Sequence, residues 1–155
     1  MTVSLGDSLP DITLPANDAQ DIDLGQLEGK KLVLYFYPKD NTSGCTVQGK
    51  DFRDAKADFD ATNCRILGVS RNTVRQHENF IKKFEFNFDL LADTEETLCN
   101  HYGVLKEKSM YGRKYIGIER STFLYDSQGK LVREWRNVKI PGHVAEVLAA
   151  AQDID

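Results

Sequence analysis

No two cysteines in this chain are spaced as C-x-x-C, and only three occur at all, at positions 45, 64 and 99. Their scatter is not a disulfide framework, and the missing dithiol motif disfavours a thioredoxin-type reductase. Cys64, Cys99 and the histidines His77, His101 and His143 lack zinc-ligand spacings, so no metal is expected. A Gly-rich phosphate loop of the Walker or dinucleotide type is absent, as is a G-x-S-x-G hydrolase elbow. No dense Lys/Arg block interrupts a chain of net charge −4, which leaves nucleic-acid or anionic-membrane binding without electrostatic support. The apolar run Leu32–Tyr37 is far too short to span a bilayer. The opening MTVSLGDSLPD has neither the basic nor the apolar region of a signal peptide. Together these absences predict a cytoplasmic protein in reducing surroundings, with no nucleic-acid and no membrane partner.

What remains is the composition of an ordinary globular chain. Hydrophobic residues make up 41% and charged residues 28% of 155 positions, enough for a single core and read as one domain over residues 1–155. The six tyrosines and eight phenylalanines fall on strand and helix faces and read as core, not as a stacking platform for bases. No internal repeat, linker or low-complexity tract is visible.

The chain is organised around residues 35–54, YFYPKDNTSGCTVQGKDFRD. Leu32–Tyr37 reads as a buried strand, and Pro38 ends it because proline has no N–H to give to a ladder. Asp40, Asn41, Ser43 and Gly44 suit tight backbone conformations. Val47, Phe52, Ala55 and Phe59 then follow at roughly helical spacing. Cys45 is therefore expected in the first turn of a helix, just past the carboxyl end of a central strand. Unpaired N–H groups and the positive end of the helix dipole favour a thiolate there, and the thiolate is the nucleophilic form of cysteine. Open α/β sheets place their sites at the same strand ends. Spacing alone does not separate such a cysteine from an inert, half-buried one.

Along the rest of the chain, Asp11–Leu14 and Asp21–Leu24 are predicted to pair as an N-terminal hairpin. RILGVS, residues 65–70, reads as a second buried strand, with Asn72 or Thr73 capping a helix whose face carries Val74, His77, Ile81 and Phe84. A brief strand at Leu90–Ala92 and a short helix at Glu95–Tyr102 follow. Residues 103–117 show no period and read as a basic surface loop. Ser121–Tyr125 and Lys130–Trp135 read as a hairpin. Val144, Val147, Leu148 and Ala151 mark a closing helix. Each histidine is expected at the surface or at a cap, His143 at the start of that last helix. The order is that of an α/β, thioredoxin-like fold with an N-terminal β-hairpin extension.

Pro38, Thr42 and Cys45 form the pattern P-x-x-x-T-x-x-C, which resembles the peroxidatic motif of the peroxiredoxins. The longer string at 35–54 is similar to their bacterioferritin comigratory protein, or Q-type, subfamily. GDSLPDITL at 6–14, ILGVS at 66–70, FDLLAD at 88–93, YGV at 102–104, GIERSTFLYDSQGK at 117–130 and GHVAEVLAA at 142–150 extend the likeness over nearly the whole chain. The resemblance implies a thiol-dependent peroxidase that reduces hydrogen peroxide and organic hydroperoxides through a Cys45 sulfenic acid, without any cofactor.

It further implies that Thr42 offers a hydroxyl to the peroxide or the sulfur, that Pro38 shields the thiolate, and that Arg120 places a permanent positive charge beside it. The partners implied are a peroxide substrate and an external thiol reductant, namely thioredoxin, glutaredoxin or glutathione. The chain is expected as a monomer or weak homodimer.

Two positions depart from the pattern. Many members of the subfamily carry a resolving cysteine where this chain has Lys50, and others carry it in the helix matched by residues 73–86, which here has none. Ser43 stands where a proline is common. A helix over residues 45–60 spans roughly 24 Å, which sets Cys64 at the far end of the sheet, beyond the roughly 7 Å reach of a disulfide. The chain thus reads as a one-cysteine variant. A rival reading is a peroxide-sensing relay that passes oxidation to a partner protein, distinguished by its lack of efficient turnover. A chemically idle scaffold is the third.

Overall fold

The computed structural model describes residues 3–154. Its centre is β3 (Lys31–Phe36), six consecutive residues all buried. Parallel to it runs β4 (Cys64–Ser70), followed by β5 (Asp89–Ala92); β8 (Ser121–Tyr125) and β9 (Leu131–Trp135) are antiparallel, giving the order β5-β4-β3-β8-β9. The crossovers are α1 (Ser43–Ala61) between β3 and β4, and α2 (Val74–Phe84) between β4 and β5. α3 (Thr97–Tyr102) follows β5, and α4 (His143–Gln152) closes the chain. This is the mixed α/β, thioredoxin-like architecture expected. The N-terminal extension is a short antiparallel pair, β1 (Thr13–Pro15) with β2 (Asp21–Asp23).

Successive side chains of a strand point to opposite faces, and β3 divides its residues between two cores. Leu32, Leu34 and Phe36 join Leu14, Ile22, Leu98, Tyr102 and Phe123 on one side. Val33, Tyr35 and Tyr37 join Phe52, Phe59, Phe80, Phe88 and Val147 on the other, under α1, α2 and α4. Tyr35 stacks on Phe52 with ring centroids 4.5 Å apart. Thr73 caps α2: its side chain accepts from the Gln76 N–H while the Gln76 side chain accepts from the Thr73 N–H, the reciprocal capping box.

The structure corrects four expectations. Residues 103–117 are not a loop: β6 (Leu105–Met110) and β7 (Arg113–Ile118) pair antiparallel through a turn at Tyr111 and Gly112, both at positive φ. Most side chains of this hairpin are exposed on both faces, so the alternation that betrays a half-buried strand never appears. Val47 is 50% exposed; the inward face of α1 is Cys45, Gln48, Gly49, Phe52 and Phe59. Glutamine and glycine on that face hide its period. His77 is fully buried, not a surface or cap residue, and packs inward beside Phe80. His143 does open α4, but it too is buried and bonds Thr122 Oγ1 at 2.8 Å.

Candidate active site

The chain leaves β3 at its carboxyl end. Tyr37 N–H still donates to the Val69 carbonyl at 3.1 Å, and half-buried Pro38 then ends the ladder for want of an N–H. Asn41 turns the chain through the left-handed region, which asparagine tolerates better than most residues. Thr42 is extended and serves as N-cap of α1; its carbonyl accepts both the N–H (2.9 Å) and the hydroxyl (2.7 Å) of Thr46. The Thr42 side chain does not cap the helix. Its hydroxyl donates back to the Lys39 carbonyl at 2.8 Å, and the first-turn N–H groups beside Cys45 are left without a side-chain acceptor.

Cys45 follows in that first turn, only 2% exposed and packed with the aromatic core. Arg120 reaches it from a distant part of the sequence because β8 runs antiparallel to β3. Ser121, the first residue of β8, pairs with Phe36, the last of β3. The residue before β8 must therefore emerge where β3 ends. Arg120 Nη2 donates to Cys45 Sγ at 3.5 Å, and Nη1 donates to Gln48 Oε1 at 2.5 Å. Among the described residues Arg120 makes no ion pair with a carboxylate. A Cβ at Gly44 would sit 3.2 Å from Ile140 Cδ1 and 3.4 Å from Arg120 Nη2, so a glycine there lets the guanidinium approach the sulfur.

Pro38, Thr42 and Cys45 are thus brought together by a short stretch of chain, and Arg120 by sheet register. Gln48 was not singled out in the sequence, although it lies one helical turn beyond Cys45 on the same face. It is fully buried, and its Nε2 has no hydrogen-bond partner among the described residues. Lys108 is a second cation near the site, brought there by the β6–β7 hairpin. Its Nζ donates to the Ile118 carbonyl at 2.5 Å. Burial lowers its pKa first and the charge of Arg120 lowers it further, while Cys45 acts in the opposite sense.

The other thiols have different neighbours. All three cysteines are free and buried. Burial pushes the Cys64 thiol up to about 12, against a smaller opposing effect of Lys31. Cys99 is pushed up by burial and then by the hydrogen bond and charge of Asp93. Cys64 pairs in register with Lys31 at the start of β3, the end remote from Cys45. At position 50 the lysine ammonium lies 5.2 Å above the Phe84 ring. No cluster of three or more His, Cys, Asp and Glu residues among the described residues could hold a metal ion, and no helix of the described residues is long and apolar enough to cross a membrane.

Residues 5–134 match the model of the AhpC/TSA family. The putative peroxiredoxin bcp of Coxiella burnetii is 43% identical over 148 residues, covering 96% of this chain and 98% of the relative. Peroxiredoxin Bcp of Xanthomonas campestris is 47% identical over 140 residues, covering 90% and 88%. A solved structure of the Xanthomonas campestris bacterioferritin comigratory protein, a trapped intermediate/ligand complex bearing on its alkyl peroxide reduction activity, superposes with a TM-score of 0.89 at 44% identity. That match covers 95% of this chain and 98% of the other.

Proposed function

This chain belongs to the AhpC/TSA family, and on that premise we propose that Cys45 is the peroxidatic nucleophile of its thiol-dependent peroxidase activity. The family's chemistry is peroxide reduction at a cysteine, and the relatives named as peroxiredoxins match this chain over most of its length. The observation that carries the assignment is the Arg120 guanidinium, 3.5 Å from Cys45 Sγ and not ion-paired to a carboxylate, beside a helix start with no side-chain cap.

In the first step the Cys45 thiolate attacks one peroxide oxygen. An S–O bond forms, the O–O bond breaks, and the sulfur loses two electrons to give a sulfenic acid. The other oxygen leaves with the electron pair, takes a proton, and departs as water or an alcohol. Arg120 N–H groups and the uncapped N–H groups of the first turn of α1 stabilise the charge that develops on that oxygen. The Thr42 hydroxyl hydrogen is committed to Lys39 O, so its oxygen accepts from the O–H of the bound peroxide. Pro38 limits water around the thiolate. Gln48 fixes the guanidinium through Oε1.

In the second step an external thiol attacks the sulfenic sulfur, releasing water and leaving a mixed disulfide. A second thiol then displaces Cys45 as thiolate and carries away the disulfide. Lys50 occupies the position where a resolver is common, and the only sulfur in the 73–102 segment is Cys99. Thioredoxin, glutaredoxin and glutathione are the proposed donors. Three free cysteines suit the reducing cytoplasm proposed for the chain.

The test is mass spectrometry of the protein after one equivalent of hydrogen peroxide, with dimedone present and with or without each donor. A dimedone adduct confined to Cys45, and suppressed by a donor, is expected. Excess peroxide is expected to carry the unprotected sulfenic acid on to the sulfinic acid. A Cys45–Cys64 or Cys45–Cys99 disulfide would overturn the one-cysteine reading.

A further inference from the structure

The five residues assigned to the reaction leave unexplained a buried polar chain directly beneath the loop that carries Pro38 and Thr42. Asp40, within that loop, is 8% exposed, and both its carboxylate oxygens and its N–H are engaged. Its Oδ1 accepts from the Tyr37 hydroxyl at 2.6 Å, and its Oδ2 lies 2.7 Å from His77 Nδ1. Its backbone N–H donates to Asn72 Oδ1 at 3.0 Å. Fully buried His77 spends its other ring nitrogen on the Leu91 carbonyl of β5, at 2.8 Å. At the rim, Lys83 Nζ donates to Asn41 Oδ1 at 3.1 Å.

This chain of bonds fastens one loop to three separate elements. Tyr37 is the continuation of β3, His77 and Lys83 belong to α2, and Leu91 belongs to β5. Buried polar groups in low dielectric are held firmly when every partner is present and are costly when one is removed. The Tyr37 phenol is suited to a permanent donor role: burial first, then the charge of Asp40, pushes its pKa up, so it keeps its hydrogen. The conformation of residues 38–42, and with it the placement of the Thr42 oxygen and the start of α1, is thereby set from beneath.

The same loop leads directly into the helical turn that bears Cys45. A peroxide is small, but the sulfur is only 2% exposed, and a thiol carried on a peptide or a protein must align with it for in-line displacement. The loop must therefore be firm for the first step and yield for the second. Resting on the peroxidase reading above, we infer that Asp40 and His77 are positioning residues that hold the Cys45 loop for reaction with peroxide and oppose its opening to the reducing thiol.

The inference requires opposite changes in the two half-reactions, which a general loss of stability would not produce. Tyr37→Phe removes one hydroxyl and keeps the ring in the core; Asp40→Asn and His77→Gln cut deeper. In single turnovers of the full chain, each variant is expected to form the Cys45 sulfenic acid about tenfold more slowly, the size of effect of losing a hydrogen bond to a charged group. Reduction of the preformed sulfenic acid by glutathione, and alkylation of resting Cys45 by iodoacetamide, are expected to accelerate several-fold. Backbone hydrogen exchange at Asp40 is expected to rise with them.

Should His77→Gln fail to fold, Tyr37→Phe decides alone. Equal slowing of both half-reactions, or no change in either, would overturn the inference. If the unmodified protein forms no sulfenic acid at Cys45, the peroxidase assignment itself falls. If it forms one and Tyr37→Phe behaves like it in both steps, only the positioning role is lost.

Discussion

Cys45 and Cys64 lie toward opposite ends of β3, and each is 2% exposed. Burial cannot tell them apart. At the carboxyl end the Cys45 sulfur meets the Arg120 guanidinium at the start of a helix with no side-chain cap. At the amino end the Cys64 sulfur faces the Arg65 carbonyl at 3.8 Å, while the nearby Lys31 ammonium is turned to the Ala151 carbonyl and the Thr62 hydroxyl. Cys99 is buried as completely, with the Asp93 carboxylate beside it. A thiolate is stabilised by cations and N–H donors and opposed by burial among carbonyls and carboxylates. What differs between the two ends is the polarity of what the fold aims at the sulfur. A parallel βα unit aims helix N–H groups at the carboxyl end of its strand and carbonyls away from it.

The largest effect is expected from removing each thiol in turn. Cys45→Ser is expected to abolish peroxide consumption, whereas Cys64→Ser and Cys99→Ser retain most of it in the same coupled assay. Full activity in the Cys45→Ser protein would remove the distinction between the two ends. Removing the cation alone comes next. Arg120→Met is expected to slow sulfenic acid formation about 100-fold, the usual loss for one preorganised donor to a developing oxyanion, measured in single turnovers with hydrogen peroxide.

A smaller effect is expected where Arg120 stays but loses its holder. Gln48→Leu removes the acceptor of Nη1 and is expected to slow the same step about tenfold, as for a hydrogen bond to a charged group. Gln48→Glu keeps an acceptor but ion-pairs the guanidinium and sets a negative charge close to the thiolate, and is expected to recover little of the rate. An unaltered rate in Gln48→Leu would show that Arg120 is placed by its backbone alone.

The smallest expected effect is on stability. His143, buried at the start of α4, has its pKa lowered from 6.5 to about 4, by burial first, with Glu146 opposing and Arg120 adding to the shift. The unfolded chain binds this proton near pH 6.5, and the folded chain only near pH 4. Stability is therefore expected to fall as pH drops through that window. Denaturant midpoints at pH 7 and pH 5 measure the fall, and His143→Gln is expected to flatten it. A midpoint that does not move with pH, or a slope unchanged in the variant, would contradict the assignment.

Legibility in the sequence followed consistent burial, of one face or of both. The all-buried β3, the Thr73-capped α2, the β8–β9 hairpin and α4 each carry a run or period that survives in a single sequence. The β6–β7 hairpin does not, because neither of its faces is consistently buried. The inward face of α1 was blurred for a related reason: Gln48 and Gly49 are buried there, and Phe86 fills the place a side chain at Gly49 would take. His77 carried no signal of its partner, since Asp40 lies in a loop that no period describes.

The position of Cys45 is legible locally: a strand ended by Pro38, a turn, and a helix begun just before Cys45 are all local events. So is the succession of elements along the chain, the β6–β7 hairpin excepted, since apolar runs and helical spacings report their own burial. What faces the sulfur is set by the tertiary fold. Residue type and spacing did not distinguish Arg120 from Arg71 or Arg113; the family pattern did. In the fold Arg71 is turned to Glu96 and the Ile116 carbonyl, and Arg113 lies on an exposed strand. Arg120 meets Cys45 because the β3–β8 register brings the start of one strand to the end of the other. Such a register is set by side chains packing on both faces of a sheet, a condition that no single segment of the chain contains.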